Sequence, residues 1–230
     1  MISFRKVSKR YQLAHGTNVV LRDFEFEMST DQNIGILGRN GVGKSALMRM
    51  IAGSELPDRG YITRSVRVSY PIGQQCGFSP MMTGAQNARF VARAYGENPK
   101  RVVEYVDEFA ELGRYLYEPL RTFSNGMRAR LAFGICMAIP FDVYLVDEVT
   151  SVGDLEFKRK CIKVFGERRR SSKLIMVSNN SNTIRQYCDR GAIMENGTIV
   201  MYSHIEEAVA VYNKDLQQGK PVLKLCDEVS

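Results

Sequence analysis

The chain has 230 residues, of which 44% are hydrophobic and 25% charged, with a formal net charge of +7. That content excludes a disordered chain, and the length fits one large domain or two small ones. The positive balance fits an anion, an acidic membrane surface or nucleic acid as a partner, beside the plainer alternative of a basic solvated surface.

The first residues, "MISFRKVSKRYQ", lack an apolar h-region, so no signal peptide is expected. The pattern then reads as β-structure: "ISFRKV" alternates, and Leu21, Phe24, Phe26 and Met28 fall near period two. Asn33 to Gly38 is a short buried strand, "KSALMRMIAG" a helix closed by Gly53, and "YITRSVRVSY" a further strand. From about Gln86 to Met137 the pattern turns helical, with breaks near Gly73 to Gly84 and Tyr117 to Asn125. A helical subdomain at about 84–137 is expected inside a single domain of 1–219, with 220–230 as a tail.

Strand and helix alternate again afterwards. "VYLVDE" is a strand, "DLEFKRKCIKVFGERRR" a helix and "KLIMVS" a strand. Asn196-Gly197 between two apolar runs signals a hairpin, and a last amphipathic helix is expected near Glu206 to Tyr212. The alternation predicts an α/β fold with a mostly parallel core sheet, an N-terminal antiparallel β part and an inserted helical subdomain. The longest apolar run, Leu131 to Ile139, is far short of the roughly 20 residues a membrane-spanning helix needs. The five cysteines form no CxxC pair, which points to a reducing compartment. His15 and His204 have no metal-ligand neighbours at useful spacing.

The most specific chemistry lies in "GILGRNGVGKSALM". Gly38, Arg39, Asn40, Gly41, Val42, Gly43, Lys44 and Ser45 complete a Walker A phosphate loop between a strand and a helix. Glycines let the backbone curl until several N–H groups point at one anion, and the helix start adds its positive dipole end. Lys44 is expected on the β- and γ-phosphates of ATP and Ser45 on Mg²⁺. The apolar strand "FDVYLVDE" ends as a Walker B segment should. Asp147 would hold the metal through water, and Glu148 would polarise the attacking water.

Further segments resemble the ATP-binding-cassette (ABC) transporter ATPases. "TFSNGMRARLAF" looks like their signature motif, with Ser124 and Gly126 at the matching places although the usual Leu-Ser-Gly-Gly-Gln is altered. Ser124 can also N-cap the next helix. "VTSVGD" looks like the D-loop, with Asp154 in its acidic place, and "VSKRY" makes Tyr11 the candidate for stacking on adenine. "SELPDRG", "GFSPMMTGAQNARFVARAYG" and "VYLVDEVTSVGDLEFKRKC" narrow the resemblance to the capsular polysaccharide exporters of Gram-negative bacteria; O-antigen and teichoic-acid exporters are similar but less so.

That resemblance implies a head-to-tail dimer, homomeric or with a paired cassette subunit, on an integral membrane permease at the cytoplasmic face of the inner membrane, with no nucleic acid. Ser124, Gly126 and Asp154 of one chain would complete the ATP site of the other, and the helical subdomain would receive the permease, with Phe78, Met81 and Met82 as candidate contacts. A cassette protein acting on DNA or ribosomes is disfavoured. Such chains usually carry a long coiled-coil insertion or tandem cassettes, and here only 80 residues separate Lys44 from Ser124.

Two positions depart from the family pattern. The glutamine of the family's Q-loop is expected at Gln74, or its neighbour Gln75, while Ser79 stands where capsule exporters carry a Gln. The strand that in the family ends in Val-Ser-His here reads Val177-Ser178-Asn179. Asn179 can donate a hydrogen bond but cannot take up a proton near neutral pH, so ATP binding with weak hydrolysis is expected, as in a regulatory cassette subunit. The basic run from Lys158 to Lys173 is read as a solvated helix face, with attraction to anionic lipid as the alternative.

Overall fold

The computed structural model describes residues 1–14, 16–72, 77–147, 155–168 and 171–218. The chain divides into two compact units. One comprises Met1–Val68, Val143–Asp147 and Lys173–Ser230; the other comprises Ser69–Asp142 and Glu148–Ser172.

In the first unit, β1 (Ile2–Leu13) and β2 (Gly16–Met28) form a long antiparallel ribbon, with Ile2 opposite Met28 and Leu13 opposite Gly16. β4 (Arg59–Arg64) pairs with the other edge of β1, giving the order β2-β1-β4. The ribbon is bulged between Phe4 and Arg10, and Lys6 and Asp23 adopt φ of 48° and 42° there. Ser8 closes this irregular stretch. Its Oγ accepts from the Asp23 N–H at 2.9 Å and donates to Asp23 Oδ1 at 3.0 Å. Bulges bend a strand and re-aim the side chains beyond them, here Arg10 and Tyr11.

The strand expected over "YITRSVRVSY" stops at Arg64. Its partner β1 begins at Ile2, so the ladder runs out, and Ser65 bonds the first residue instead: its N–H donates to the Met1 carbonyl at 3.0 Å. Val68 makes only an isolated parallel bridge to Val143.

The core sheet holds β5 (Val143–Asp147), β6 (Lys173–Ser178), β3 (Ile34–Leu37), β7 (Arg190–Glu195) and β8 (Thr198–Tyr202), in that order. The first three junctions are parallel and the last is the expected hairpin. Asn196 and Gly197 both have positive φ, 51° and 79°, the pair of conformations a two-residue turn needs to match strand twist. β3 is central and wholly buried. Buried Asn33 fixes its start. Its Nδ2 donates to Asp189 Oδ2 at 2.9 Å, and its Oδ1 accepts from the Leu174 N–H at 3.2 Å, so one amide ties the starts of β3, β6 and β7.

Helix α1 (Lys44–Ala52) shares a core with both sheets. Leu47, Met48, Met50 and Ile51 are buried with Ile2, Phe4, Leu21, Ile36, Leu145 and Val177. α6 (Ser181–Tyr187) and α7 (Ile205–Gln218) complete this unit, the latter running beyond the expected Glu206 to Tyr212. α6 can approach β3 closely because Gly35 has no Cβ; one would lie 2.3 Å from Ile184 Cγ2.

The second unit is helical: α2 (Gly84–Ala94), α3 (Pro99–Ala110), α4 (Asn125–Ala138) and α5 (Leu155–Arg168). Its starts follow capping chemistry. Thr83 and Gln86 form a capping box, Asn98 accepts from the Lys100 and Arg101 N–H groups before Pro99, and Ser124 accepts from the Met127 N–H. The sequence places the helical subdomain at about 84–137, but this unit also takes in α5.

Three side chains of α5 explain that membership. Phe157 packs edge-to-face on Phe109 at 5.5 Å, and two cations of α5 close helix ends that lack a basic residue of their own. Lys160 Nζ donates to the Phe109 carbonyl at 2.9 Å and to Glu111 Oε1 at 2.5 Å, at the end of α3. Arg168 donates to the Met137 carbonyl at 2.7 Å, at the end of α4. Terminal carbonyls carry the negative end of the helix dipole, so these contacts are charge-assisted. The basic run is therefore partly structural rather than only a solvated face.

Cys136, Cys161 and Cys188 are buried, and burial pushes the Cys161 thiol up to about 12. Lys160→Met is expected to lower stability by about 1–2 kcal/mol. Lys163→Met, on the exposed side of the same helix, should stay within about 0.5 kcal/mol of the parent. Urea denaturation of the two variants checks the contrast.

Candidate functional site

The parallel register builds the site. Leu37 lies opposite Ser178 and Asp147 opposite Val177, so β3, β6 and β5 end almost level. Ligands of parallel α/β sheets bind beyond such carboxyl ends. The phosphate loop leaves the end of β3, Asp147 is the last residue of β5, and Asn179 is the first residue after β6.

The loop from Gly38 to Gly43 needs its glycines. Gly41 and Gly43 adopt φ of 81° and 107°, and a Cβ on Gly43 would lie 2.5 Å from Val20 Cγ1. Gly43 is also the N-cap of α1, so no side chain caps the first amides of that helix. α2, α3, α4 and α6 each have a side-chain oxygen there. An N-terminus left without a side-chain acceptor, preceded by a curled glycine loop, is fitted to a phosphate.

The cation stands in the same place. Lys44 is 8% exposed, and its Nζ donates to the Gly38 carbonyl at 2.7 Å and the Arg39 carbonyl at 2.9 Å. Buried ammonium groups need such acceptors, and these lie on the loop itself. Arg39, Asn40 and Gly41 are exposed, and Val42, Ser45 and Asp147 are half-buried.

Asn179 reaches the loop directly: its Nδ2 donates to Asn40 Oδ1 at 3.0 Å. Asn180, not Asn179, caps α6, accepting from the Asn182 and Thr183 N–H groups. The polar cluster after β6 thus divides its labour between a helix cap and a loop contact. On the other side of the loop, Asn18 Nδ2 donates to the Gly41 carbonyl at 3.4 Å. Asn18 is the direct cross-strand partner of Tyr11, and opposed residues share a face of the ribbon. Tyr11 therefore lies on the face that meets the phosphate loop.

Tyr11 is half-buried in a polar network that no sequence motif announces. Its hydroxyl donates to Glu55 Oε1 at 2.5 Å and accepts from Arg49 at 3.1 Å. Lys9 Nζ lies 2.9 Å from Glu55 Oε1 and 5.3 Å from the Tyr11 ring centroid. Burial alone would raise the Glu55 carboxyl, but hydrogen bonds from Lys9, Tyr11 and Arg49 outweigh it and hold it at about 2. Burial and the bond to Glu55 together raise the Tyr11 phenol.

Ser124 and Gly126 belong to the helical unit, where Ser124 is the exposed N-cap of α4 and accepts from the Met127 N–H at 3.2 Å. Gln74, Gln75, Glu148 and Asp154 lie outside the described residues, as does His15. Phe78 is half-buried and packs edge-to-face on Tyr70 at 6.3 Å, Met82 is half-buried, and Met81 is exposed.

The ABC transporter family profile matches residues 21–151. The capsule polysaccharide export ATP-binding protein CtrD of Neisseria meningitidis serogroup B is 43% identical over 213 residues, covering 93% of this chain and 99% of that protein. The chain belongs to the ABC transporter family. Within it, the O-antigen export system ATP-binding protein RfbB of Klebsiella pneumoniae is less similar to this cassette. The two are 32% identical over 211 residues, or 90% of this chain and 86% of that protein. Among solved structures, the dimeric post-hydrolysis state of the cassette MJ0796 bound to ADP and Pi superposes with a TM-score of 0.69. It covers 86% of this chain and 96% of its own at 17% identity, a likeness of fold. Among the described residues, no helix of this cassette is long and apolar enough to cross a membrane.

The Glu55 network sets a pH dependence. A carboxyl held at about 2 in the folded chain, against an ordinary 4.5, adds stability that is complete above pH 4.5 and is lost as pH falls toward 2. Glu55→Gln is expected to cost about 2 kcal/mol at pH 7, after allowance for partial solvent screening. The gap to the parent should narrow steadily below pH 4.5, as urea denaturation at pH 7 and pH 3 would show.

Proposed function

We propose that this cassette is the ATP-binding subunit of an exporter that couples ATP binding and hydrolysis to export of a capsular polysaccharide across the inner membrane. The observation that carries the substrate class is the 43% identity to CtrD along nearly the whole of both chains, against 32% to RfbB. A homodimer, or a pair with a second cassette subunit, docks on an integral membrane permease at the cytoplasmic face. Met81, Phe90 and Tyr117 of the helical unit are each exposed and available for that contact.

The residues divide the work. The amides of Gly41 to Ser45 and the Lys44 ammonium bind the nucleotide's β- and γ-phosphates, and Tyr11 offers its ring face to the base. Ser45 and Asp147 present hard oxygen donors suited to Mg²⁺. That ion, when bound, screens phosphate charge and supports the loss of the γ-phosphoryl group. Glu148 orients and polarises the attacking water, and Gln74 is assigned to sensing it. Ser124, Gly126 and Asp154 of the second chain close over the phosphates in head-to-tail association, so that nucleotide binding holds the pair together.

Asn179 makes turnover slow. Its amide, held by Asn40 at the mouth of the loop, donates to phosphate oxygen but shuttles no proton. This same observation favours a second reading, a regulatory cassette subunit that pairs with a catalytically complete partner.

Asn179→His is expected to raise the ATPase rate of the purified exporter complex by about 10-fold or more, since such groups are commonly worth about 10²–10⁴. A slow rate left unchanged would count against the role given to Asn179; a fast parental rate would remove the regulatory reading. The substrate class is checked by deleting the chain from its host. Loss of surface capsule with intact O-antigen is expected, and the reverse would move the assignment to O-antigen export.

A further inference from the structure

The hydroxyl of Tyr11 is fully engaged by two residues that lie in no nucleotide-binding motif. It donates to Glu55 Oε1 and accepts from Arg49, which is itself bonded to Glu55 Oε2 at 2.9 Å. The three side chains come from β1, the last turn of α1 and the loop after it, and they form a closed triangle of hydrogen bonds. Lys9 and Asp58 brace it: Lys9 Nζ donates to the Leu56 carbonyl and Asp58 Oδ1, and Asp58 Oδ2 accepts from the Arg10 N–H at 2.8 Å.

A phenol has two torsions. Packing restricts the first, and the hydroxyl bond restricts where the ring's far end can go. With its oxygen bound to Arg49 in the last turn of α1, the ring is tied to the helix whose other end carries the phosphate loop. The Lys9 ammonium stands 5.3 Å from the ring centroid, and the Asn18–Gly41 contact places the same ribbon face against the loop. A flat surface fixed in advance binds a base without the entropic cost of ordering a side chain.

We propose that Glu55, assisted by Arg49, is a positioning residue that fixes the Tyr11 ring for the nucleobase and so contributes to nucleotide affinity without touching the nucleotide. The proposal rests on the assignment of Tyr11 to the base. Because Glu55 acts through the hydroxyl, its effect must depend on that hydroxyl and must spare ligands that have no base.

The test is calorimetric titration of the full-length chain with Mg-ATP and with magnesium tripolyphosphate, which carries the phosphates alone. Tyr11→Ala should weaken ATP by about 10-fold or more, and Tyr11→Phe and Glu55→Ala each by about 3- to 10-fold. Tripolyphosphate should change by less than about twofold in all three. The double variant Tyr11→Phe with Glu55→Ala should be no weaker than the worse single variant, because both remove one bond. Glu55→Gln still accepts from the phenol and should keep near-parental ATP affinity despite its lower stability. If Tyr11→Ala leaves ATP binding unchanged, the assignment of Tyr11 fails and the proposal with it. If Tyr11→Ala weakens ATP while Tyr11→Phe and Glu55→Ala do not, the assignment stands and the positioning role is overturned. Equal weakening of ATP and tripolyphosphate by Glu55→Ala would reduce Glu55 to a structural residue. Should Glu55→Ala fail to fold, Tyr11→Phe and Glu55→Gln decide the matter.

Discussion

The parallel pairing of β3 with β6 is the constraint on which the site depends. Register in a parallel sheet is set residue by residue, and a slip of one position would turn every side chain to the opposite face. With Leu37 opposite Ser178, the phosphate loop and Asn179 leave the sheet side by side, close enough for Asn179 to bond Asn40. With Asp147 opposite Val177, the acid of β5 ends at the same level. Asn33 enforces this from the opposite end of the strands. It is buried, and its amide bonds the Asp189 carboxylate before β7 and the Leu174 N–H at the start of β6, so its own polar atoms are satisfied.

The ribbon and α1 extend this scaffold to Tyr11, the residue proposed to face the base. α1 is clamped in a core shared by both sheets, so the direction in which it leaves the phosphate loop is fixed. Beyond the bulges of β1, Tyr11 meets Arg49 in the last turn of that helix and Glu55 in the loop after it, which hold its hydroxyl. Phosphate loop and aromatic ring are thus referred to a single rigid element, one at each end. The helical unit solves a separate problem with the same chemistry, using Lys160 and Arg168 where α3 and α4 lack a basic residue to close their own ends.

Much of this was legible in the sequence. The phosphate loop, the β5 acid, the Asn196-Gly197 hairpin and the Ser124 cap are local patterns, in which neighbouring residues carry the whole physical reason. The parallel sheet followed from alternation. The end of the β4 strand at Arg64 was not legible, because it depends on where β1 begins, some sixty positions earlier. Nor was the membership of α5 in the helical unit, since Lys160 and Arg168 look like any surface cations until the helix ends they serve are in view. Glu55 was invisible for the same reason: its partners Lys9 and Tyr11 come from β1 and Arg49 from α1, and no motif in the chain relates them to Glu55.

Asn179 shows where the two kinds of reading meet. The sequence supplies the identity and the resemblance supplies the address, but the contact with Asn40 is a property of the folded sheet. An imidazole at this place would change charge near neutral pH, and its hold on the loop would change with it. An amide pair does not titrate, so the link between the β6 exit and the phosphate loop is the same at every physiological pH. The substitution exchanges a proton-carrying group for a constant hydrogen bond. On the proposed reading, that alters the steps after ATP binding and leaves the loop, lysine and helix start as they are.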